Sequence, residues 1–444
     1  MLAGLAAFLN IPQLVLGATM VWAVWLGTMF AVALPITDRL LQNAIRWLRP
    51  ASRIIIAAIA IFAMVEIIGL AVIFISSTRI EGTSGEVTPL AESVMHSFEP
   101  ADSDALTQQA AQNLLKGDNP YSAANVVTAL KQASSAFDKI TPLRRGTLAG
   151  VFPHPTTNQL RTLWGNALSQ PDSPPVEIES NLNYPAGSFL LPAPFVALGI
   201  KDIRIAFIIL ALPALAYAAW RIKPGWRLYF VLGAVLSIEI WNAAAAGDTG
   251  MLYFPFLLIA WLLMRRRLWL SALCMGVAIA TKQIVWFFLR FYLILILRTM
   301  GLRKAWLSLV AAAGVFTVFN LPFVISDPGL WVSSITAPMT DGMFPTGVGL
   351  IALVSSGMMH ITSALPFAVV EVCVAVMAVV WYYRNCIRYP HAGLVLALLP
   401  LFCAWRSLWN YFYYADIILL AAILSEENKK QTAASHGIKT QEVL

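Results

Sequence analysis

The chain has 444 residues, of which 59% are hydrophobic and only 12% are charged, and its mean hydropathy is +0.72. A soluble protein carries about 25% charged residues, and a transmembrane β-barrel would show short alternating strands instead of continuous apolar runs. The composition therefore predicts an all-α polytopic membrane protein. The excess of 30 basic over 23 acidic residues is a topology signal in such a chain, and it gives no reason to expect nucleic acid as a partner.

Apolar runs divide the chain into four predicted regions. Residues 1–78 carry two N-terminal transmembrane helices, at about 14–34 and 54–76. Residues 79–187 form a large extracytoplasmic loop that contains amphipathic helices, one of which we expect to lie on the membrane surface. Residues 188–425 form a multi-helix transmembrane domain, and residues 426–444 are predicted to be a disordered cytoplasmic tail.

Nine further runs predict spans, which gives about eleven transmembrane helices in total. Two shorter pieces, 188–200 and 347–358, are rich in Gly or Pro. They predict re-entrant or interfacial segments, which backbone polarity permits only beside protein or water. The nine predicted spans are about 203–220, 228–246, 250–264, 268–282, 284–298, 305–325, 363–383, 391–404 and 411–425.

The basic residues predict an orientation. With the amino terminus outside and the carboxyl terminus in the cytoplasm, the inner segments hold eighteen of the thirty Lys and Arg residues, as the positive-inside rule requires. Seven of the other twelve lie in the long loop, where the rule carries little weight. We therefore expect a multi-pass protein of the cell membrane whose large loop is extracytoplasmic.

Two acids, Asp102 and Asp104, stand at the head of this loop, where a short amphipathic helix begins that ends at Gly117. Acids in so apolar a chain mark functional positions by default. The structural alternative is helix capping, because Asp102 and Ser103 have the side chains of N-cap residues and glycine is the usual residue after a helix end. Both interpretations remain open at this point.

Other polar residues fall on the same predicted face, where a carboxylate could deprotonate a hydroxyl and a cation could stabilise a departing phosphate. The chain contains no GxxxxGK[ST] and no HExxH motif, which argues against nucleotide hydrolysis and against zinc. No cofactor is implied, although acids alone leave room for a weakly held divalent cation. The polar residues on this face are Asp102, Asp104, Lys116, Asp118, Arg144, Arg145, Arg161, Asp202, Arg204, Asp248, Lys282, Asp327, Asp341 and Arg406.

Residues 102–121, DSDALTQQAAQNLLKGDNPY, resemble the first-loop signature of the GT-C class of integral membrane glycosyltransferases. They are most similar to the polyprenyl-phosphate-mannose-dependent family 87 group and its bacterial relatives. Short similar segments follow in order at 141–146, 183–187, 247–250, 280–283 and 406–411, so that the resemblance covers about residues 95–415. Two features depart from the class: an additional span precedes the acidic loop, and Arg290 interrupts an apolar run, where it needs a partner such as Glu371 or Glu239.

The resemblance implies a GT-C-like fold and an inverting glycosyltransferase of the cell envelope. Its donor would be a polyprenyl-phosphate sugar such as the mannose form, and its acceptor a lipid, a glycan or a protein. Asp102 or Asp104 would be the general base. The candidate ligands of the donor phosphate are Lys282, Arg406, Arg144 and Arg145, and the candidate substrate-binding residues are Asn119, Tyr121, Tyr184, Asp248, Gln283 and Tyr411.

Several of these candidates also have an ordinary structural interpretation. Lys282 stands at a span end and could extend along the apolar surface to water. Arg406 lies among aromatic residues, as interface anchors do. Arg144 and Arg145 could be a solvated pair, and Asp248 could shape a turn.

The alternative function is that of a non-enzymatic transporter or flippase for a lipid-linked saccharide. Such a protein would also need charged residues within the membrane. Transporters often consist of two related halves with broken helices near the midplane, and this sequence shows no internal repeat. The enzyme is therefore the leading hypothesis.

Overall fold

The computed structural model describes residues 12–34, 100–133, 137–235 and 237–425. Within these ranges the protein is mostly helical, and its one sheet consists of two strands of two residues each. The predicted span at 54–76, the basic residues from Arg39 to Arg53 and the tail at 426–444 lie outside the described residues.

The described residues form an N-terminal helix, a loop segment and a helical bundle. The N-terminal helix is α1 (Pro12–Val32). The loop segment contains α2 (Asp102–Lys116), α3 (Val126–Gln132), α4 (Thr157–Ser169), α5 (Gly187–Leu190) and α6 (Ala193–Ala197). The bundle contains α7 (Arg204–Arg221), α8 (Pro224–Val235), α9 (Ile238–Ala245), α10 (Gly250–Leu263), α11 (Leu268–Ile279), α12 (Val285–Met300), α13 (Leu302–Ser326), α14 (Pro328–Thr340), β1 (Thr346–Gly347), α15 (Ala352–Ser355), α16 (Leu365–Asn385), α17 (Ala392–Leu396), β2 (Arg406–Ser407) and α18 (Ala415–Ser425).

Four helices in the described part, α1, α7, α13 and α16, are long and apolar enough to cross a membrane, and α8 with α9 makes a fifth candidate that is bent by 48°. This number is smaller than the predicted eleven. The predicted spans at 250–264 and 268–282 correspond to α10 and α11, which have 14 and 12 residues. At 1.5 Å per residue, helices of that length are shorter than the roughly 30 Å of a hydrocarbon core. The pieces at 188–200 and 347–358 contain only short helices.

The bundle is built around α10, which is apolar on every side and almost entirely buried. It packs against α7, α11 and α18, as expected for a helix without a polar face. Helices α11 and α13 approach closely at Gly276, because a Cβ atom there would lie 2.8 Å from the carbonyl oxygen of Ala312. Only glycine permits this contact.

The loop segment forms a smaller lobe, which we call the loop lobe (residues 100–133 and 137–198). Its core contains Leu106, Tyr121 and Phe189, together with Phe323 from the end of α13. The apolar face of α2 therefore packs inside the protein against α3 and α6, and its prediction as a membrane-surface helix was wrong. Sequence periodicity shows that a face is apolar but does not show what covers it.

The bundle consequently has two distinct ends. The lobe end carries the loop lobe, the start of α7 and the start of α10, since Ala101 of the lobe donates a backbone hydrogen bond to Ala246. At the far end, one cavity is lined by Arg221 at the end of α7, by the turn between α10 and α11, and by Ser425. The sequence predicts that the far end is cytoplasmic.

Candidate functional site

Six of the predicted site residues meet at the lobe end around Tyr184, which lies just before α5. The Tyr184 hydroxyl is within electrostatic range of Asp102, Asp248 and Arg406, and Lys282 Nζ lies 5.3 Å from the centroid of its ring. Burial, together with the two nearby carboxylates, raises the pKa of Tyr184 above its ordinary value, so its hydroxyl remains a hydrogen-bond donor. Tyr411 is within electrostatic range of the same charged groups on Arg406, Lys282 and Asp248. We call Asp102, Tyr184, Asp248, Lys282, Arg406 and Tyr411 the Tyr184 cluster.

Arg406 is fixed by the small parallel sheet. Thr346 pairs with Arg406 and Gly347 pairs with Ser407. Gly347 has a φ of +111° and approaches the Ser407 backbone so closely that no Cβ would fit. The Arg406 guanidinium contacts the sulfur of Met343, while its buried Nε has no hydrogen-bond partner among the described residues. A buried N–H donor without a partner is costly, and an anionic ligand would satisfy it.

Lys282 and Asp248 form a buried ion pair. The distance from Lys282 Nζ to Asp248 Oδ1 is 3.0 Å, and their side chains are only 8% and 7% exposed. Lys282 therefore does not extend to water along the surface. The same Oδ1 accepts from Gly250 N at 3.0 Å and from Asn410 Nδ2 at 3.3 Å, and Oδ2 accepts from the Tyr414 hydroxyl at 2.7 Å. Asp248 is fully engaged by the protein and holds Lys282 in place.

Asp102 lies in the first turn of α2, but it is not the N-cap. The cap position is Ala101, whose side chain makes no capping bond. Asp102 Oδ2 accepts a hydrogen bond from Thr141 Oγ1 at 2.7 Å, and its Oδ1 accepts from the adjacent Ser103 N at 2.7 Å. The carboxylate is thus half-buried, oriented by Thr141 and within electrostatic range of Tyr184.

Asp104 occupies a different environment. It is 2% exposed and lies against Gly247, where a Cβ atom would come within 2.5 Å of its Cγ. Its Oδ1 is buried without a hydrogen-bond partner among the described residues. Burial raises the pKa of Asp104 well above its ordinary value, although Arg204 acts in the opposite direction. Asp104 is therefore held in its protonated form more readily than a solvated carboxyl.

Arg144 and Arg145 are already engaged by oxygen atoms of the protein. Arg144 Nη1 donates to the carbonyl of Thr362 at 2.7 Å, and Arg145 Nη2 lies 2.5 Å from Asp341 Oδ1. Both link the loop lobe to the chain between α14 and α16. The Nε of Arg144 is nevertheless buried without a hydrogen-bond partner among the described residues, as the Nε of Arg406 is, so Arg144 keeps one donor for a ligand.

Asn119, Tyr121 and Gln283 support the backbone behind the cluster. Asn119 Oδ1 accepts from Tyr121 N at 3.0 Å, and the Tyr121 hydroxyl donates to the carbonyl of Tyr184 at 3.0 Å. Gln283 Nε2 donates to the carbonyls of Asn183 and Ile335. Two of these three residues therefore hold the segment that carries Tyr184, and each has its polar group occupied.

Sequence reasoning missed three residues that complete the cluster: Thr141, Asn410 and Tyr414. Thr141 and Asn410 lie within the family-like segments 141–146 and 406–411, which was the available signal. Tyr414 lies outside both segments, and only the fold brings its hydroxyl to Asp248. Asn410 Oδ1 is buried without a partner in the described part of the chain, so a second polar atom here is ready for a ligand.

The cluster offers a half-buried carboxylate, a guanidinium with an unsatisfied N–H and two tyrosine hydroxyls in a largely apolar setting. It can accept a proton and stabilise an anion. Among the described residues, no group of three or more His, Cys, Asp or Glu side chains could hold a metal ion. No protein-family model, curated protein or solved structure matches this chain.

Proposed function

We propose that the protein is a membrane glycosyltransferase of the GT-C class, with about eleven spans, which transfers a hexose such as mannose from a polyprenyl-phosphate donor. The observation that carries this proposal is the convergence of Asp102, Arg406 and the Lys282–Asp248 pair around Tyr184 at one end of an apolar bundle. These residues come from distant parts of the chain. A donor with a long apolar tail and an anionic phosphate suits a charged site beside apolar helices.

In the proposed reaction, an acceptor hydroxyl oxygen attacks the anomeric carbon from the face opposite the phosphate. Asp102 takes the hydroxyl proton as the new C–O bond forms. The bond between the anomeric carbon and the phosphate oxygen breaks, and its electron pair leaves with polyprenyl phosphate. A single displacement of this kind inverts the anomeric centre. The acceptor is a hydroxyl of a lipid, a glycan or a protein on the extracytoplasmic side of the cell membrane.

The surroundings of each group support different roles within the cluster. Arg406 is the main ligand of the leaving phosphate, since its Nε–H is unsatisfied and preorganised donors stabilise developing charge most effectively in a water-poor site. Lys282 contributes less, because Asp248 offsets its charge at 3.0 Å. Tyr184 and Tyr411 orient the sugar. Asp102 is favoured as the base over Asp104, because burial raises the pKa of Asp104 well above its ordinary value.

The transporter alternative has one observation in its favour, namely charges within the apolar helices. Arg290 of α12 is within electrostatic range of Glu371 of α16, and its guanidinium lies 4.6 Å from the centroid of the Phe287 ring. Of the two acids expected as partners, Glu371 and not Glu239 contributes to the electrostatic environment of Arg290. Charges inside a bundle accompany transport in other membrane proteins, so an experiment must separate transfer from translocation.

The test uses the purified protein in liposomes with synthetic polyprenyl-phosphate mannose and octyl mannoside as a probe acceptor. Mass spectrometry measures both the new glycoside and the released polyprenyl phosphate. We expect both products in equal amounts, and slow release of polyprenyl phosphate without the probe because water is a poor substitute acceptor. A donor that stays intact while a fluorescent analogue crosses the bilayer only in the presence of the protein would overturn the enzyme and support the transporter.

A further inference from the structure

The segment that carries Arg406 contains a second polar atom without a partner. Asn410 follows β2 in the short helical turn Trp409–Tyr411. Its side chain is half-buried, and its Oδ1 is buried with no hydrogen-bond partner among the described residues. A buried acceptor that stays unpaired is costly. A ligand that brings a hydrogen-bond donor to this oxygen would therefore be stabilised.

The neighbouring carboxylate fixes the orientation of the Asn410 amide. Asp248 Oδ1 accepts from Gly250 N at 3.0 Å, and a backbone N–H can only donate. It also accepts from Lys282 Nζ at 3.0 Å. The amide atom that faces this oxygen at 3.3 Å must therefore be the donor Nδ2, because the reverse orientation would place two acceptor oxygens against each other. Asn410 consequently directs Oδ1 away from Asp248.

The carboxylate that orients Asn410 is itself held from several sides. Asp248 lies just before α10 and is buried, and its other oxygen accepts from the Tyr414 hydroxyl at 2.7 Å. The contact between these elements is close, because a Cβ atom at Gly250 would lie 2.5 Å from the Tyr414 ring. Asn410 Oδ1 is thus positioned before any ligand binds, as a group that recognises a substrate requires.

The chemistry of a polyprenyl-phosphate hexose limits which of its groups can bind this oxygen. The polyprenyl chain has no polar group. The phosphate that joins the chain to the sugar has acceptor oxygens and no O–H, so an acceptor such as Asn410 Oδ1 would repel it. The hydroxyls of the hexose are the only hydrogen-bond donors of the molecule. Asn410 Oδ1 is therefore suited to the sugar and unsuited to the phosphate.

We propose that Asn410 determines specificity for the transferred sugar: its Oδ1 accepts a hydrogen bond from one hydroxyl of the hexose, an assignment that rests on the proposed function. The two unpartnered atoms of the segment then have complementary tasks. Arg406 Nε–H binds the phosphate, and Asn410 Oδ1 binds the sugar attached to it. The acceptor hydroxyl is bound elsewhere, because it must give its proton to Asp102.

The chain offers a matched pair of variants for a test. Asn410→Leu keeps the branched shape of the side chain and removes the acceptor, but it also removes one hydrogen bond to Asp248. Tyr414→Phe removes a different hydrogen bond to the same carboxylate and leaves Asn410 in place. Both variants therefore weaken the network around Asp248, and only Asn410→Leu removes the oxygen that is proposed to bind the sugar.

The measurement is kcat/KM in the transfer assay with polyprenyl-phosphate mannose and with deoxy forms of this sugar donor that each lack one hydroxyl. A site that hydrogen-bonds a substrate hydroxyl rejects the analogue without it, because the protein group is then left unpaired. At one position we expect the parent to prefer the intact sugar at least about tenfold, and Asn410→Leu to prefer it less than about threefold.

The control variant should differ from Asn410→Leu in this ratio. Tyr414→Phe should keep the parent's preference between intact and deoxy sugars, whatever its overall rate. Circular dichroism checks that both variants fold. If Asn410→Leu does not fold, Asn410→Ala removes the same acceptor oxygen and makes the same comparison.

Several results would overturn the assignment of Asn410. One is a preference that Asn410→Leu keeps at every position, and another is an equal loss of preference in Tyr414→Phe, which would indicate the network and not the Asn410 oxygen. A loss that appears with deoxy forms of octyl mannoside, and not with deoxy sugar donors, would place the hydrogen bond on the acceptor. If the parent forms no glycoside from the intact sugar donor, the proposed function itself fails, and this assignment fails with it.

Discussion

The two ends of the bundle use the same residue types in opposite ways. At the lobe end, Lys282 is buried and paired with Asp248 in a network that includes Asn410 and Tyr414. At the far end, Lys304 is exposed at a helix start, in a groove that no acid of the described chain lines. Mixed charges fixed by hydrogen bonds suit a reaction that moves protons and anions, whereas Lys304 lies on an open surface beside exposed apolar side chains such as Leu307. The number of charges alone would not separate the two ends.

The largest difference between the ends should appear in the free energy of unfolding when a lysine is replaced by alanine. Lys282→Ala leaves Asp248 buried without its counter-ion, which typically costs about 3–5 kcal/mol. Lys304→Ala removes an exposed charge and should change the free energy of unfolding by less than about 0.5 kcal/mol. Unfolding of both purified variants in the same neutral detergent, followed by circular dichroism, measures the difference.

The double variant Lys282→Gln with Asp248→Asn sharpens this comparison. It removes both charges and keeps polar groups of similar size, so it should recover part of the stability lost in Lys282→Ala. If Lys282→Ala and Lys304→Ala are equally stable, the buried ion pair does not exist as described.

The next largest effect is on the rate of sugar transfer, and it is expected from the loss of Arg406 with little change in stability. Arg406→Ala should lower the rate of sugar transfer about 10²–10³-fold, as loss of one preorganised donor to a developing anion does. Its melting temperature should stay close to that of the parent, because Arg406 Nε has no hydrogen-bond partner within the described chain. Arg161→Ala, an exposed cation of the loop lobe, is the matched control and should transfer at the parent rate. Equal rates in all three proteins would remove Arg406 from the site.

A smaller effect, on the pH dependence of stability, is expected from Glu179, which lies beside the Arg145–Asp341 pair. Burial and the Asp341 carboxylate raise the pKa of Glu179 to about 8, against the opposing charge of Arg145. A raised acid pKa means that the folded state prefers the protonated form, so stability is present at low pH and is lost as pH rises from about 4.5 towards 8. Glu179→Gln should therefore stabilise the protein at pH 7 by at least about 1 kcal/mol and flatten this dependence. Melting temperatures from pH 5 to pH 8 provide the measurement, and parallel curves for both proteins would contradict it.

The last comparison uses single cysteine substitutions at exposed positions of the two ends, which should change the structure very little. Cysteines introduced at the exposed positions Ser173 in the loop lobe and Thr299 near the far end report on which side of the membrane each lies. In intact cells, a membrane-impermeant thiol reagent should label Ser173→Cys and leave Thr299→Cys unlabelled. Labelling of Thr299→Cys alone would reverse the predicted orientation.

The sequence predicted many element positions and most of the Tyr184 cluster. Helices α1, α7, α13 and α16 match predicted spans closely, because long apolar runs carry a strong local signal. Asp102, Asp248, Lys282 and Arg406 were four of the fourteen polar residues expected on one side of the membrane, and Tyr184 and Tyr411 were candidates through the family resemblance. The expected orientation grouped residues coarsely and did not separate the four from the other ten.

What the sequence could not predict depends on contacts between distant residues. The pairing of Lys282 with Asp248, and of Arg145 with Asp341, joins positions that no local pattern connects. The two neighbouring acids differ for the same reason, since Asp104 is buried by Gly247 from another loop. Helices α10 and α11 begin at the predicted residues and end one and three residues earlier than predicted.

The most direct test of the proposed base compares three acids of one loop in the transfer assay. Asp102→Asn keeps the size of the side chain and an oxygen that can accept from Thr141. Asp104→Asn keeps a side chain of the same size against Gly247, and Asp118→Asn removes an exposed acid. We expect Asp102→Asn to lower transfer at least about 10²-fold, the low end of general-base contributions, at an unchanged melting temperature. Asp104→Asn and Asp118→Asn should stay within a few-fold of the parent. Transfer by Asp102→Asn at the parent rate would contradict its assignment as the base.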